Sequence, residues 1–207
     1  MLRFAITALL TAAMLFGASG LFEAPGLSAA PIPRDATKVN YFPLSKGSTW
    51  NYTADAEDPS ASFAVNITES AEKNGRIVST LKYQFDGSDQ SEQMATDAAG
   101  VYRASEGNFD KPIVVLKYPL AAGSTWESKM PLGGASPTAK AKVKGVVEIE
   151  VPAGKFSAME VEFVSTDPKR PNTLTAWYAP HVGVIKQTSN YDGRITTIEL
   201  TKFTPGK

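Results

Sequence analysis

The stretch Ala139-Lys140-Ala141-Lys142-Val143-Lys144-Gly145-Val146-Val147-Glu148-Ile149-Glu150-Val151 places Ala139, Ala141, Val143, Val147, Ile149 and Val151 at odd positions, and Lys140, Lys142, Lys144, Glu148 and Glu150 at even ones. A period of two belongs to a strand buried on one side, so one face is expected to be core and the other water. Pro152-Ala153-Gly154-Lys155 then reads as a turn, and Met159, Val161 and Phe163 continue the odd apolar parity against Glu160 and Glu162. The pattern predicts a long hairpin.

The first half of the chain carries the same design. In Phe63-Ala64-Val65-Asn66-Ile67-Thr68 and Ile77-Val78-Ser79-Thr80-Leu81-Lys82-Tyr83-Gln84-Phe85 the large apolar residues again sit at odd positions. Asn74-Gly75 between them is a two-residue hairpin signal. Further strands are predicted at 90–97, 100–105, 112–117, 172–178, 183–190 and 194–203, where Gly, Pro, Asn and Asp punctuate at strand spacing. No stretch after residue 31 has helical period, so the fold class expected is all-β.

Pro43-Leu44-Ser45-Lys46-Gly47-Ser48-Thr49-Trp50 returns as Pro119-Leu120-Ala121-Ala122-Gly123-Ser124-Thr125-Trp126, differing only at the two central residues. Matching Ile67 with Val143, Gly75 with Gly154 and Phe85 with Phe163 gives offsets close to that of the echo. We therefore expect two similar meander halves, about 41–117 and 118–207, joined in one curved antiparallel sheet, a half-barrel or open barrel. In each octapeptide Pro fixes the backbone before a turn and Gly permits a positive φ at its close. Ser-Thr-Trp then enters a strand.

Residues 1–30 read as an export signal, with Arg3 as the positive start and an uncharged, largely apolar run from Phe4 to Phe16. Residues 31–40, with Pro31 and Pro33, are expected to form a flexible leader, and 41–207 a single domain. The chain has no cysteine, which excludes disulfides and a lipid-modified cysteine alike. Stability must then come from packing in a domain long enough to bury a core. Basic and acidic residues balance at 21 each. That balance, with no basic cluster, points away from nucleic acid and anionic membranes. The partners expected are an apolar small molecule or an envelope protein, with no membrane span once the signal is removed.

Chemistry is sparse. Trp50 and Trp126, placed alike in the two halves, are expected to be structural core residues, or else to line a cavity or stack on a ligand. His181 is the one histidine. It stands between Pro180 and Gly183 in a predicted exposed turn, where it tolerates unusual φ. One histidine without cysteine does not furnish a usual zinc set, and neither a Gly-x-Ser-x-Gly elbow nor a phosphate-cradling glycine motif occurs. Glu148, Glu150, Glu160 and Glu162 could gather for a weak calcium site or an acid/base pair, or else form a solvated face with the neighbouring lysines. Asn51-Tyr52-Thr53 and Asn66-Ile67-Thr68 match a glycosylation pattern that matters only in a eukaryote. No catalytic residue, metal site or cofactor is expected.

Three segments carry a resemblance: Tyr41-Phe42-Pro43-Leu44 through Trp50-Asn51-Tyr52, Val151-Pro152-Ala153-Gly154-Lys155-Phe156, and Trp177-Tyr178-Ala179-Pro180-His181-Val182-Gly183. Together they resemble spaced motifs of uncharacterised secreted bacterial β-sheet proteins, with His181 standing where that pattern has glycine. More remotely the family is similar to the periplasmic lipoprotein carriers of the LolA/LolB kind, whose curved half-barrels shelter acyl chains. The resemblance implies a periplasmic or secreted bacterial protein without established catalytic residues. The leading expectation is an exported, non-catalytic β-protein binding a lipid or other apolar ligand in a concave sheet. Trp50, Tyr52, Trp126 and Trp177 are then the candidate ligand-binding residues. The alternatives are a ligand-free structural or interaction module of the cell envelope, and a carboxylate-based hydrolase. The signal pattern predicts that the exported protein starts between about residue 20 and residue 31. N-terminal sequencing of the exported fraction checks this, and a retained Met1 would contradict it.

Overall fold

Each predicted alternation becomes a strand in the computed structural model, which describes residues 39–54, 61–85, 88–105, 107–129, 138–167 and 172–207. The expected signal and most of the expected leader lie outside the described residues. In chain order the strands are β1 (Thr49–Thr53), β2 (Ser62–Lys73), β3 (Arg76–Phe85), β4 (Ser88–Asp97), β5 (Gly100–Ser105), β6 (Asn108–Lys117), β7 (Thr125–Ser128), β8 (Ala139–Val151), β9 (Gly154–Ser165), β10 (Thr173–Ala179), β11 (Gly183–Tyr191) and β12 (Arg194–Thr204). All belong to one antiparallel sheet in the order β6-β5-β4-β3-β2-β1-β12-β11-β10-β9-β8-β7. The fold is all-β. No helix among the described residues is long and apolar enough to cross a membrane.

The two ends of that order nearly meet. Ser128 Oγ on β7 donates to the Val114 carbonyl on β6 at 2.8 Å, a side-chain link where a backbone ladder would complete a barrel. Pro112 sits within β6, where its missing N–H costs little because β6 is an edge strand. At the other junction β1 is laddered to β12, and Thr201 Oγ1 adds a bond to the Asn51 carbonyl at 3.1 Å. Apolar side chains face inward: Val65, Leu81, Met94, Val143, Val161, Phe163, Leu174 and Leu200 are all buried, while Lys140, Lys142 and Glu148 are exposed. This is the inverse of the lipid-facing pattern of a transmembrane barrel.

Each octapeptide closes on its half in the same way. Gly47 N–H donates to the Ile67 carbonyl and Gly123 N–H to the Val143 carbonyl, both at 2.9 Å and both with φ of 85°. Ile67 N–H returns to Ser48 O, and Val143 N–H to Ser124 O, again at 2.9 Å. One residue later each long strand bulges, at Thr68 in β2 and at Lys144 in β8. The echo in sequence is thus an echo in hydrogen bonding: a turn that clips a strand just before its bulge.

The bulge corrects one expectation. Residues 139–151 were expected to bury all their odd positions on one face, but the extra residue at Lys144 shifts the pleat. Beyond it Val146 stands opposite Met159, on the face that Val143 and Val161 share, and Val147, Ile149 and Val151 lie on the opposite face. The distal hairpin is covered on that opposite face, leaving Val146 51% exposed. Its turn folds back on β12, where Ala153 N–H donates to the Leu200 carbonyl at 2.9 Å. Unequal effects follow within the hairpin. Val161→Asp, at a position with no exposure, should cost about 3 kcal/mol or more. Half-buried Val147→Asp should cost less, and exposed Glu148→Ala under about 1 kcal/mol. Urea melts rank the three, and equal effects would contradict the assigned register.

Candidate functional site

The segment entering β1 occupies the interior. Val39, Tyr41, Phe42 and Leu44 are all buried, Tyr41 completely. Val39 and Asn40 fall within the span expected to be flexible leader, yet the Asn40 carbonyl accepts the His181 N–H at 2.7 Å and its Oδ1 accepts the Phe42 N–H at 2.9 Å. At the other end Ser79 Oγ on β3 donates to the Leu44 carbonyl at 2.9 Å. Residues 39–44 form a strap tied to the β10–β11 turn and to β3.

Beside the strap lies a small apolar cavity walled by Phe42, Trp50, Tyr52, Tyr83, Gly183 and Val184, with Val65 and Leu81 beneath. It encloses about 30 Å³ of open space. A single water needs roughly 10–15 Å³, and pockets for drug-sized ligands run to roughly 300–1,000 Å³. Two polar clamps hold its wall: Trp50 Nε1–H donates to the Val182 carbonyl at 2.6 Å, and Tyr52 OH to the Val184 carbonyl at 2.8 Å. Aromatic rings continue outward in a row, Tyr52 on Phe63 at 5.2 Å, Phe63 on Phe85 at 5.3 Å and Phe85 on Tyr83 at 6.4 Å.

Of the four candidate ligand-binding residues, Trp50 and Tyr52 meet at this cavity. Trp126 is buried edge-on against Phe163 at 6.0 Å and is not among the cavity's walls. Trp177 is half-buried between β9 and β11, where its Nε1–H reaches Glu160 at 3.3 Å and Lys186 Nζ stands 6.0 Å from its ring. Equivalent positions in the octapeptides therefore have different surroundings, because β1 lies beside β12 and the β10–β11 turn while β7 lies at the free end of the sheet.

His181 is exposed in its turn with φ of 61°, a left-handed conformation in the position where the resembling pattern has glycine. The four glutamates of the β8–β9 hairpin do not form a cluster. Glu162 pairs with Lys144 at 3.1 Å, Glu150 with Lys155 at 3.6 Å and Glu160 with Trp177. Among the described residues no three His, Cys, Asp or Glu side chains are grouped to hold a metal ion. An open surface groove of about 470 Å³ runs between the β2–β3 tip and the start of β6. Its charges are mixed: Arg76 is committed to Asp97 at 2.9 Å, and both Lys73 and Asp110 line it.

A buried polar cluster that the sequence reading missed lies on the inner face of β3–β5. Tyr83 OH donates to Glu92 Oε1, and Arg103 Nη1 stands 3.9 Å from Glu92 Oε2. The Arg103 side chain is only 3% exposed. Burial pushes the Glu92 carboxyl up, against the opposing pull of the Tyr83 hydroxyl and the Arg103 charge. The signal was present: Val101 and Arg103 share odd parity in β5, so a strand that buries Val101 also buries Arg103.

No protein-family model matches the chain, and no curated protein matches it either. Among the solved structures that share the fold are two bacterial ones. One is a "putative exported protein with YmcC-like fold" from Bacteroides fragilis, 15% identical, with a TM-score of 0.52 over 81% of this chain and 100% of that one. The other is a "putative lipoprotein" from Parabacteroides distasonis, 14% identical, with a TM-score of 0.50 over 80% and 99% respectively.

The interior tyrosines make a test of the packing by pH. Burial raises the hydroxyls of Tyr52, Tyr83 and Tyr178, and that of Tyr118 is pushed up to about 12, burial outweighing the Tyr41 backbone nearby. A folded chain that holds these protons more tightly than the unfolded one is fully stabilised below the ordinary tyrosine value of 10.0 and loses that stability as pH rises through the folded values. Urea midpoints should therefore fall between pH 10 and pH 12, and Tyr118→Phe should flatten the decline. A midpoint that holds steady across that window would contradict burial of these hydroxyls.

Proposed function

We propose that this chain is an exported, non-catalytic β-module of the bacterial cell envelope whose interior is filled by its own residues. The observation that carries the reading is the strap. Val39, Tyr41, Phe42 and Leu44 cover the concave apolar face, and the space left beside them is water-sized. A concave sheet must shield that face with a ligand, a partner or its own chain. Here the chain itself serves. Export is supported by the apolar signal at the start of the sequence and by the descriptions of both structural neighbours. Membership of the secreted motif family is supported by the roles of its segments: Tyr41-Phe42-Pro43-Leu44 forms the strap, Pro152-Ala153-Gly154 the returning hairpin turn, and Trp177 through Gly183 the anchor of the strap.

The LolA/LolB-like alternative, an acyl chain held on the concave face, requires the strap to leave its place. Tyr41 would then lose its complete burial and His181 its bond to Asn40. Dodecanoate or a longer fatty acid titrated into the protein should leave the emission of Trp50 unchanged. A saturable change at micromolar concentration, about 8 kcal/mol of binding, would replace the filled-core account with the carrier.

A further inference from the structure

The open groove of about 470 Å³ lies on the other side of the sheet from the filled interior. Of its lining residues, Arg76 and Val78 sit at even positions of β3, and Gln93 stands opposite Thr80, in the same parity. Ser79 and Leu81, at odd positions, are buried, and Ser79 is bonded to the strap. The groove therefore opens away from the strap. Its volume falls within the roughly 300–1,000 Å³ of small-molecule sites.

The far wall is formed by a segment of β6 that leaves its ladder. Pairing with β5 runs from Gly100 and Lys117 to Arg103 and Ile113, then resumes only at Ser105 and Asn108, so Phe109 through Pro112 stand out of register. Irregularities of this kind re-aim side chains and are common beside binding sites. Here they put Phe109 and Asp110 on the groove, and the Asp110 N–H is held by Asn108 Oδ1 at 3.0 Å. On the near wall Lys73 is the register partner of Arg76, a repulsive pairing of like charges. Arg76 is compensated by Asp97 at 2.9 Å and lies over the Tyr102 ring at 4.8 Å. Lys73 and Asp110 are exposed, and neither has an ion-pair partner among the described residues. One groove thus holds an uncommitted cation and an uncommitted carboxylate.

Those two charges select the ligand. A multiply charged anion would meet the repulsion of Asp110 with one free cation to hold it, and an acyl chain would strand the amides of Asn74 and Gln93 against hydrocarbon. A ligand with one charge of each sign engages Lys73 and Asp110 together, while the two amides donate to and accept from its polar middle. In the sheet order β3 and β6 are three ladder steps apart, about 14 Å along the sheet at roughly 4.8 Å per step. A free amino acid carries both charges on one carbon and is too short to touch both walls. Three or four extended residues at roughly 3.4 Å each are long enough. We propose that the groove binds a short peptide with free termini, its carboxylate at Lys73 and its ammonium at Asp110, laid over Val78 and Phe109. The proposal goes beyond the envelope-module reading and does not depend on it.

The test is a titration of the nitrogen-15-labelled chain at constant ionic strength, with tetra-alanine, the same peptide acetylated and amidated at its ends, and maltotriose as separate arms. Tetra-alanine should shift the side-chain amide resonances of Asn74 and Gln93 saturably at about 1 mM, the weak affinity of exposed contacts. Lys73→Gln and Asp110→Asn should each weaken binding about threefold, the scale of one exposed ion pair, and capping both ends of the peptide about tenfold. The capped arm needs no variant, so the test stands even if a substitution unfolds the chain. A capped peptide that binds as well as the free one, or variants that bind as tightly as wild type, would overturn the proposal. Saturable shifts with maltotriose and none with tetra-alanine would overturn it in favour of a sugar, and shifts with neither would leave the groove to water.

Discussion

The structure depends on a six-residue strap packed into a curved sheet. Twelve antiparallel strands make a concave apolar face that no helix among the described residues covers. Val39, Tyr41, Phe42 and Leu44 are pressed into that face, each large side chain contributing roughly 1.5–3 kcal/mol of burial. The strap is held where its own polar groups would otherwise be stranded. Asn40 is bonded to the β10–β11 turn and Leu44 to Ser79 of β3. Trp50 and Tyr52 then tie β1 to the carbonyls of Val182 and Val184, more than a hundred residues away. The Asn40, Trp50 and Tyr52 bonds each join one half of the chain to the other, so the seam opposite β6 and β7 is the firmer of the two.

The two octapeptides show one short motif making the same bonds in different surroundings. Gly47 and Gly123, the bonds they make and the bulges that follow at Thr68 and Lys144 coincide. The distal hairpins do not. The β8–β9 turn is tied to β12 through Ala153, whereas the β2–β3 tip, Ala71 through Gly75, is exposed. The tryptophans diverge for the same reason: Trp50 has β12 and the β10–β11 turn beside it, with Phe203 at 5.2 Å, while Trp126 sits on a four-residue edge strand. Local geometry follows the repeated residues, and environment follows position in the sheet.

The strands were legible because their signal is local. Period-two alternation and Asn74-Gly75 predicted β2, β3, β8 and β9 from nearest neighbours alone, and Asn74 and Gly75 take the positive φ values of 52° and 74° that such a turn requires. The face switch beyond Lys144 was not legible, since the parity of apolar residues is unbroken through it and only the pairing with β9 reveals the extra residue. The sequence marks the strap as the start of a domain and not as its interior filling, because its anchoring bond, from Asn40 to His181, joins residues more than a hundred apart. Arg103 was overlooked among motifs, although its parity with Val101 marked it as an inward-facing charge. Of the four aromatic residues singled out from sequence, two converge on the cavity. The other two are separated from it by a sheet order that no local pattern encodes.

If the strap is part of the core, its anchoring bond can break only when the core does. Native-state hydrogen exchange at the His181 amide, which donates to the Asn40 carbonyl, measures this directly, with the Ile67 and Val143 amides as references for global opening. The account predicts that His181 exchanges with the same free energy as those two and with the same dependence on denaturant. Exchange at His181 through a low-energy local opening, while Ile67 and Val143 remain protected, would show a strap that leaves its place within the folded sheet, and would contradict the self-filled interior.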